Sequence, residues 1–166
     1  MPAPLSLFDF TPEASIAEWR IQDDVVMGGR SNGDFTLSEE GHGVFHGTVS
    51  LENNGGFSSV RYRPTPIDIS AYRTVQLRIK GDGKRYQLRF KSNPGDRHSY
   101  IYYFETTGDW QIIELPLENF YPTFRGRQLD LPNYPGKSVS EVAFLIGNKR
   151  AESFRLEIDG IWLIND

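Results

Sequence analysis

The stretch TVQLRIK at residues 74–80 is followed, after GDG at residues 81–83 and one lysine, by RYQLRFK at residues 85–91. In both stretches, apolar side chains alternate with basic or amide side chains. Successive side chains of a β-strand point to opposite faces, so this period of two predicts two half-buried strands. The glycines of GDG tolerate positive φ, and the sequence therefore predicts a hairpin turn between the strands.

The same alternation recurs in both directions from this pair. Nine further stretches have the pattern of short strands: SLFDF, AEWRIQD, DFTLSE, GVFHGTVSLE, FSSVRYR, HSYIYYFET, WQIIELP, EVAFLIG and FRLEIDGIWLI. About eleven strands, with no long segment of period 3.6, predict an all-β sandwich or barrel. Short helical turns are predicted at residues 66–72 and 117–121, and the longest loop at residues 121–137. The tryptophans, which lie within strand patterns, are expected in the core.

Length and composition limit the classes of function. The chain has 166 residues, and one domain over residues 1–166 is expected. Its net charge of -4 disfavours binding of nucleic acid through bulk electrostatics. The absence of cysteine excludes disulfides, thiolate metal sites and a cysteine nucleophile. There is no membrane-length apolar run and no signal-peptide pattern, so we expect no membrane insertion and a cytoplasmic location.

Five motifs carry a resemblance over most of the chain. They are DDVVMGGRSNG at 23–33, FHGTVSLENNGGFSSVR at 45–61, RIKGDGKRYQLRF at 78–90, FRGR at 124–127 and FRLEIDGIWL at 154–163. In this order and spacing they resemble the complex I intermediate-associated protein family, the domain of a mitochondrial assembly factor for NADH:ubiquinone oxidoreductase. The resemblance implies a jelly-roll β-sandwich of two antiparallel sheets, similar to galactose-binding-like domains and some carbohydrate-binding modules. It also implies a role similar to that of an assembly chaperone.

Two glycine-rich segments are candidate binding loops. The first contains Asp23, Asp24, Gly28, Gly29 and Ser31. The second contains Asn53, Asn54, Gly55, Gly56 and Phe57. The carboxylates suit a hard cation or ligand hydroxyls, but both segments are equally typical of turns whose polar side chains bond to the local backbone. Calcium loops space their acidic ligands more regularly, so no metal and no cofactor are expected.

The two segments flank strands of one sandwich, which motivates the hypothesis that they lie side by side. Backbone amides in such paired loops can form a nest that binds an anion. In that arrangement the two aspartates and the glycines would form one wall of a recognition surface.

Basic side chains concentrate on the predicted outward positions of three strands. If Val60, Leu77 and Leu88 face the core, seven of the eighteen basic residues point the other way: Arg61, Arg63, Arg78, Lys80, Arg85, Arg89 and Lys91. The pattern predicts one basic sheet face, which is either simply solvated or a recognition surface for an acidic partner. Its expected central residues are Arg61, Arg78 and Arg89.

Aromatic and turn residues supply the remaining candidates. Within YIYYF at residues 100–104, Tyr103 or its neighbours Tyr100 and Tyr102 are expected on the same surface as the arginines. Aromatic rings beside polar groups are used by carbohydrate-binding sandwiches and by protein interfaces. Arg125, in the FRGR motif, is a further candidate for partner binding.

Catalysis has little support in the sequence. The three histidines are scattered, and no HExxH, GxSxG or Walker pattern is present, so no catalytic residue is assigned. The leading hypothesis is a non-enzymatic module that binds a protein partner, such as a respiratory-complex subunit or assembly intermediate, through the basic face and the glycine-rich loops. A carbohydrate- or small-ligand-binding module is the alternative. RNA binding is a further alternative, and the net charge makes nucleic acid the least expected partner.

Overall fold

The computed structural model describes residues 3–24, 30–52 and 56–165. Its strands are β1 (Leu5–Asp9), β2 (Trp19–Asp23), β3 (Asn32–Leu37), β4 (Gly43–Val49), β5 (Ser58–Tyr62), β6 (Ile67–Asp68), β7 (Thr74–Lys80), β8 (Arg85–Lys91), β9 (Ser99–Glu105), β10 (Trp110–Pro116), β11 (Tyr121–Phe124), β12 (Arg127–Gln128), β13 (Ser138–Val139), β14 (Glu141–Ile146) and β15 (Glu152–Ile164). A short 3-10 helix covers Leu117–Asn119.

These strands form two large antiparallel sheets. Sheet I has six strands in the order β10-β7-β15-β4-β3, with β1 also paired to β15. Sheet II has seven strands in the order β12-β11-β9-β8-β14-β5-β2. A short ribbon of β6 and β13 completes the pairing. The predicted all-β jelly-roll sandwich of two antiparallel sheets is confirmed.

The inner faces of the two sheets share one hydrophobic core. Sheet I contributes fully buried residues such as Phe45, Leu77 and Leu156, and sheet II contributes others such as Leu88 and Phe144. These are the apolar positions of the alternating pattern, so the alternation correctly identified which side of each strand is buried. The polar positions of the same strands lie on the outer faces, where binding partners have access.

The predicted hairpin between residues 80 and 85 is wrong. β7 pairs with β10 and β15, whereas β8 pairs with β9 and β14, so the GDG segment crosses from one sheet to the other. The crossing packs closely, because a Cβ on Gly81 would lie 2.2 Å from the side chain of Thr106. Asp82 fixes the corner by accepting hydrogen bonds from the Tyr86 hydroxyl at 2.9 Å and the Arg155 N–H at 2.8 Å.

Three smaller predictions also change. Residues 66–72 contain the strand Ile67–Asp68, followed by a single turn in which the Tyr72 N–H donates to the Ile69 carbonyl oxygen at 2.9 Å. The turn predicted after residue 117 is present as a 3-10 helix. The loop predicted at residues 121–137 contains the paired strands β11 and β12. Trp19 is in the core, but Trp110 and Trp162 are only partly buried, on the outer face of sheet I.

In the described ranges, no helix is long and apolar enough to cross a membrane.

Candidate functional site

The outer face of sheet II carries the arginine row, which we define as Arg20, Arg61, Ala143 and Arg89. Arg61 lies in register with Arg20 on one side and with Ala143 on the other, and Ala143 lies in register with Arg89. Register partners in antiparallel strands point to the same face. The residues that alternate with the row are in the core, so the row faces outward. The structure therefore brings together two of the three predicted central arginines and adds Arg20.

One buried carboxylate, Glu141, partly neutralises this face. Its Oε1 lies 2.8 Å from Arg63 Nε and 3.9 Å from an Nη atom of Arg61. Arg89 instead donates to the side-chain oxygen of Gln87 at 2.8 Å, and Lys91 donates to the carbonyl oxygen of residue 96 at 2.8 Å. In the described part of the chain, no carboxylate other than Glu141 lies within ion-pair distance of these cations, and Glu141 reaches only Arg61 and Arg63.

Burial weakens the solvation of three of these cations. It lowers the pKa of the Arg89 guanidinium and of the Lys91 ammonium. It also lowers the pKa of Arg61, where the neighbouring positive charges of Arg63 and Arg20 act in the same direction. Arginine nevertheless stays protonated in proteins, so the row presents positive charge that has lost part of its hydration. Such a surface favours an anionic partner.

Two arginines of the row, Arg20 and Arg61, line a shallow cavity together with the neighbouring Arg63. Its lining consists of Glu18, Arg20, Arg61 and Arg63, and its volume is about 210 Å³. Glu18 is not within ion-pair distance of any described arginine. The cavity thus combines three guanidinium groups with one carboxylate that does not bind them.

Tyr103 lies on the same face as the arginine row, as one of the predicted arrangements required. Its hydroxyl accepts a hydrogen bond from Gln87 Nε2 at 2.9 Å, and the guanidinium of Arg85 lies 4.0 Å from its ring centroid. Tyr100 and Tyr102 do not share this face. They lie in register with Phe90 and Leu88, which are core residues, so the expectation for these two tyrosines is wrong.

Arg78 is separated from the arginine row. It belongs to β7 of sheet I, where it lies 3.0 Å from an Asp159 carboxylate oxygen and 4.5 Å from the ring centroid of Trp110. The predicted single basic face is therefore wrong for Arg78 and for Lys80 of the same strand. Alternation identifies the side of a strand that faces the core, but it does not identify the sheet to which the strand belongs.

Arg125 lies far from the row in the strand order. It occupies the turn between β11 and β12, at the edge of sheet II opposite to β2, and has a φ of 51°. Its guanidinium lies 5.2 Å from the ring centroid of Phe124. The structure thus gives Arg125 a turn position and does not bring it together with Arg61 or Arg89.

The carboxylate of Asp24 joins the two glycine-rich segments. Asp24 is 1% exposed and accepts hydrogen bonds from the Ser31 N–H at 2.9 Å and the Ser31 hydroxyl at 2.6 Å. It also accepts from the N–H groups of Gly56 at 2.6 Å and Phe57 at 3.2 Å. Burial raises the pKa of Asp24, but these hydrogen bonds together outweigh burial and leave its pKa below the ordinary value.

Asp23 makes a second connection in the same region. It accepts hydrogen bonds from the Gly33 N–H at 2.9 Å and from the Ser58 hydroxyl. Neither aspartate forms an ion pair with a described arginine. Asp23, Asp24 and Ser31 thus form hydrogen bonds that join neighbouring segments of the chain. Their described contacts do not include a residue of the arginine row. The other candidates of these segments, Gly28, Gly29, Asn53, Asn54 and Gly55, lie outside the described residues.

A second cluster on sheet I was missed by the sequence reasoning. Donor atoms of Glu40, His42 and Glu157 lie within 4.8 Å of one another, and His42 Nε2 lies 3.8 Å from Asp159 Oδ1. The Trp110 ring contacts His42 with a centroid separation of 4.6 Å. The spacing of these residues in the sequence gives no signal, because they come together only through the pairing of β4 with β15. These ligand atoms are close enough to one another to hold one metal ion.

Solved structures show that this architecture is shared. The chain is similar to a family 11 carbohydrate-binding module from Clostridium thermocellum in complex with a β-1,3-1,4-mixed-linked tetrasaccharide, with a TM-score of 0.69 and 20% identity, covering 98% of this chain and 95% of that one. It is also similar to the agarase AgWH50C, with a TM-score of 0.66 and 15% identity, covering 99% of this chain and 25% of that one. At these identities the likeness concerns the fold alone, and it agrees with the predicted galactose-binding-like sandwich.

Two curated relatives carry the same name. The protein "Complex I intermediate-associated protein 30, mitochondrial" of Drosophila melanogaster is 26% identical, over 96% of this chain and 62% of the relative. The protein of the same name from Mus musculus is 25% identical, over 96% of this chain and 56% of the relative. This chain thus spans little more than half the length of the relatives it matches.

These relatives also correct one expectation. Because they are named as mitochondrial proteins, the cytoplasmic location expected from the sequence is contradicted. The sequence model of the family described as "Complex I intermediate-associated protein 30 (CIA30)" matches residues 8–158, which is most of the chain. The chain therefore belongs to the complex I intermediate-associated protein 30 family.

Proposed function

We propose that this chain is a non-catalytic interaction module that acts in the assembly of respiratory complex I. In this role it binds a protein partner, a subunit or an assembly intermediate of the complex, through the outer face of sheet II. Family membership supports the assembly role. The arginine row is the observation that supports the outer face of sheet II as the binding surface.

The charge distribution supports an acidic partner surface. The protein as a whole has a net charge of -4, yet Arg20, Arg61, Arg63, Arg89 and Lys91 are brought together on one sheet face. Clustered positive charge on an acidic protein speeds encounter with a negatively charged surface and selects against positively charged ones. The described parts of the glycine-rich segments bond to each other, so the proposal rests on the sheet face rather than on those loops.

The test is affinity purification of the tagged full chain from its native host. Enrichment of at least one complex I subunit over a tag-only control is the expected result. If no subunit of the complex is enriched under conditions that preserve the host's assembly intermediates, the proposed function is wrong.

Tyr103 favours a second candidate function, the binding of a carbohydrate or another small ligand. Its ring, the Gln87 amide and the Arg85 guanidinium form a contiguous aromatic and polar group on the same face. A thermal-shift screen with neutral and acidic oligosaccharides, with and without calcium, tests it. A rise in the unfolding temperature that is lost in Tyr103→Ala supports this candidate, and a flat response excludes it.

A further inference from the structure

The cavity lined by Glu18, Arg20, Arg61 and Arg63 has the features of an anion site. Arg61 is its central residue. The Arg61 side chain is 30% exposed, and its shortest contact to a carboxylate in the described chain is the 3.9 Å separation from Glu141, too long for a hydrogen bond. No guanidinium nitrogen of Arg61 is a fully buried donor without a partner, so the group reaches solvent, and its donors are available to an acceptor from outside.

Arg20 extends the same site toward solvent. It lies in register with Arg61 on the outer face, and its side chain forms no hydrogen bond or ion pair with any described residue. Arg63, on the other side, already binds Glu141 through its Nε at 2.8 Å. The cavity therefore offers two guanidinium groups whose donors are not engaged by the described part of the chain.

We propose that this cavity binds the carboxylate of an Asp or Glu side chain presented by a protein partner, with Arg61 as its central donor and Arg20 as its outer donor. The inference deepens the proposed function and rests on it for the choice of a protein as partner. A planar carboxylate matches the paired N–H groups of a guanidinium, which makes such contacts short and directional.

The lining favours a carboxylate over other anions and over neutral ligands. Glu18 in the lining and Glu141, which pairs with Arg63, offset two of the three arginine charges, and the remaining single positive charge suits a singly charged carboxylate better than a doubly charged phosphate. A neutral sugar is usually held by stacking on an aromatic ring. Among the described residues, the lining of this cavity contains no aromatic side chain, and Tyr103 lies outside it.

Nuclear magnetic resonance titration of the full chain tests this site. The probe is a ten-residue peptide of alternating glutamate and glycine, and its control has glutamine in place of glutamate. We expect saturable shifts centred on Arg20, Arg61 and Arg63 with the first peptide and none with the second. Equal binding of both peptides, or shifts centred elsewhere, would overturn the inference.

Variants that keep the charge separate a directional site from diffuse electrostatics. Arg61→Lys and Arg20→Lys keep the positive charge but lose the paired donors, so we expect each to weaken binding of the glutamate peptide about tenfold. The matched control is Arg78→Lys on sheet I, which should bind as the wild type does. Arg20 is exposed, so its variant should fold even if Arg61→Lys does not. Unchanged binding by Arg20→Lys, with or without a folded Arg61→Lys, would overturn the inference.

Two further ligands identify other sources of the anion. If inorganic phosphate or a uridine oligonucleotide binds this cavity more tightly than the glutamate peptide does, the inference of a carboxylate site is also wrong.

Failure of this site can be distinguished from failure of the proposed function. If complex I subunits co-purify equally with the wild type and with Arg20→Lys, the site is wrong while the assembly role stands. If the cavity binds the peptide but no subunit co-purifies, the assembly role is wrong.

Discussion

The backbone N–H of Gly56 donates a hydrogen bond of 2.6 Å to the carboxylate of Asp24, which lies 32 residues earlier in the chain. The same carboxylate binds Ser31, so one buried acid joins the ends of both glycine-rich segments. The two segments with the pattern of ligand loops are thus held together by a structural contact.

Asp24→Asn should destabilise the fold by about 2–3 kcal/mol, because hydrogen bonds to a charged acceptor are lost or weakened. The pKa of Asp24 is lower in the folded state, so its stabilisation is fully present above the unfolded pKa and is lost as pH falls through the folded one. The difference between variant and wild type should therefore be present at neutral pH and shrink below about pH 4. Urea unfolding at several pH values measures it. Asp68→Asn is the control, since its described bonds stay within its own turn.

Gly47→Ala should destabilise the pairing of β3 with β4. A Cβ at this position would lie 2.0 Å from the carbonyl oxygen of Asn32, and the φ of 151° is unfavourable for other residues. We expect a loss of about 2–4 kcal/mol in the free energy of unfolding. Gly95→Ala, where a Cβ would meet nothing within 4 Å, should change stability little. Equal losses in the two variants would refute the explanation by close approach.

Asp82 and Tyr86 should be energetically coupled at the corner between the sheets. Tyr86 is fully buried, and burial, followed by the charge of Asp82, raises the pKa of its hydroxyl. A double-mutant cycle with Asp82→Ala and Tyr86→Phe should give a coupling energy of about 1–2 kcal/mol. Tyr134, whose hydroxyl donates to the Ser138 carbonyl oxygen instead, should give additive effects with Asp82→Ala.

Glu141→Gln should affect stability and binding in opposite directions. The loss of the buried carboxylate removes the contact with Arg63 and should lower the free energy of unfolding by about 2 kcal/mol. It also frees positive charge beside Arg61, so the glutamate peptide should bind several-fold more tightly. Glu105→Gln, an exposed change on the same sheet, is the control. Tighter binding in Glu105→Gln to the same degree would point to overall charge rather than to this site.

The strands and their buried sides could be read from local alternation, but their partners could not. TVQLRIK and RYQLRFK are adjacent in sequence and lie in different sheets, because β7 pairs with β10 and β15. Pairing between distant strands is decided by the packing of the whole core, which no local pattern records. For the same reason, alternation alone groups Arg78 with Arg61 and Arg89, although Arg78 lies in the other sheet.

In the candidate site, the local sequence predicts which side chains point outward but not which strands are neighbours. The outward position of Arg20 follows from the alternation in WRIQD, and that of Glu141 from EVAFLI. That β2, β5 and β14 are neighbours follows only from the fold, so the sequence does not single out Arg20 or Glu141. The paired carboxylates make Asp24 a candidate binding residue, since the local pattern does not reveal the backbone donors up to 33 residues away that satisfy it.

The most direct test of the proposed function compares partner retention by two pairs of substitutions. The first, Arg20→Gln with Arg61→Gln, alters the arginine row of sheet II, and the second, Arg78→Gln with Arg155→Gln, makes the same charge change on sheet I. Quantitative mass spectrometry of the purified chains measures complex I subunits per molecule of bait. The proposal predicts at least about a tenfold loss for the first pair and retention near wild type for the second. Equal retention by both pairs and the wild type would contradict the assignment of sheet II as the binding face.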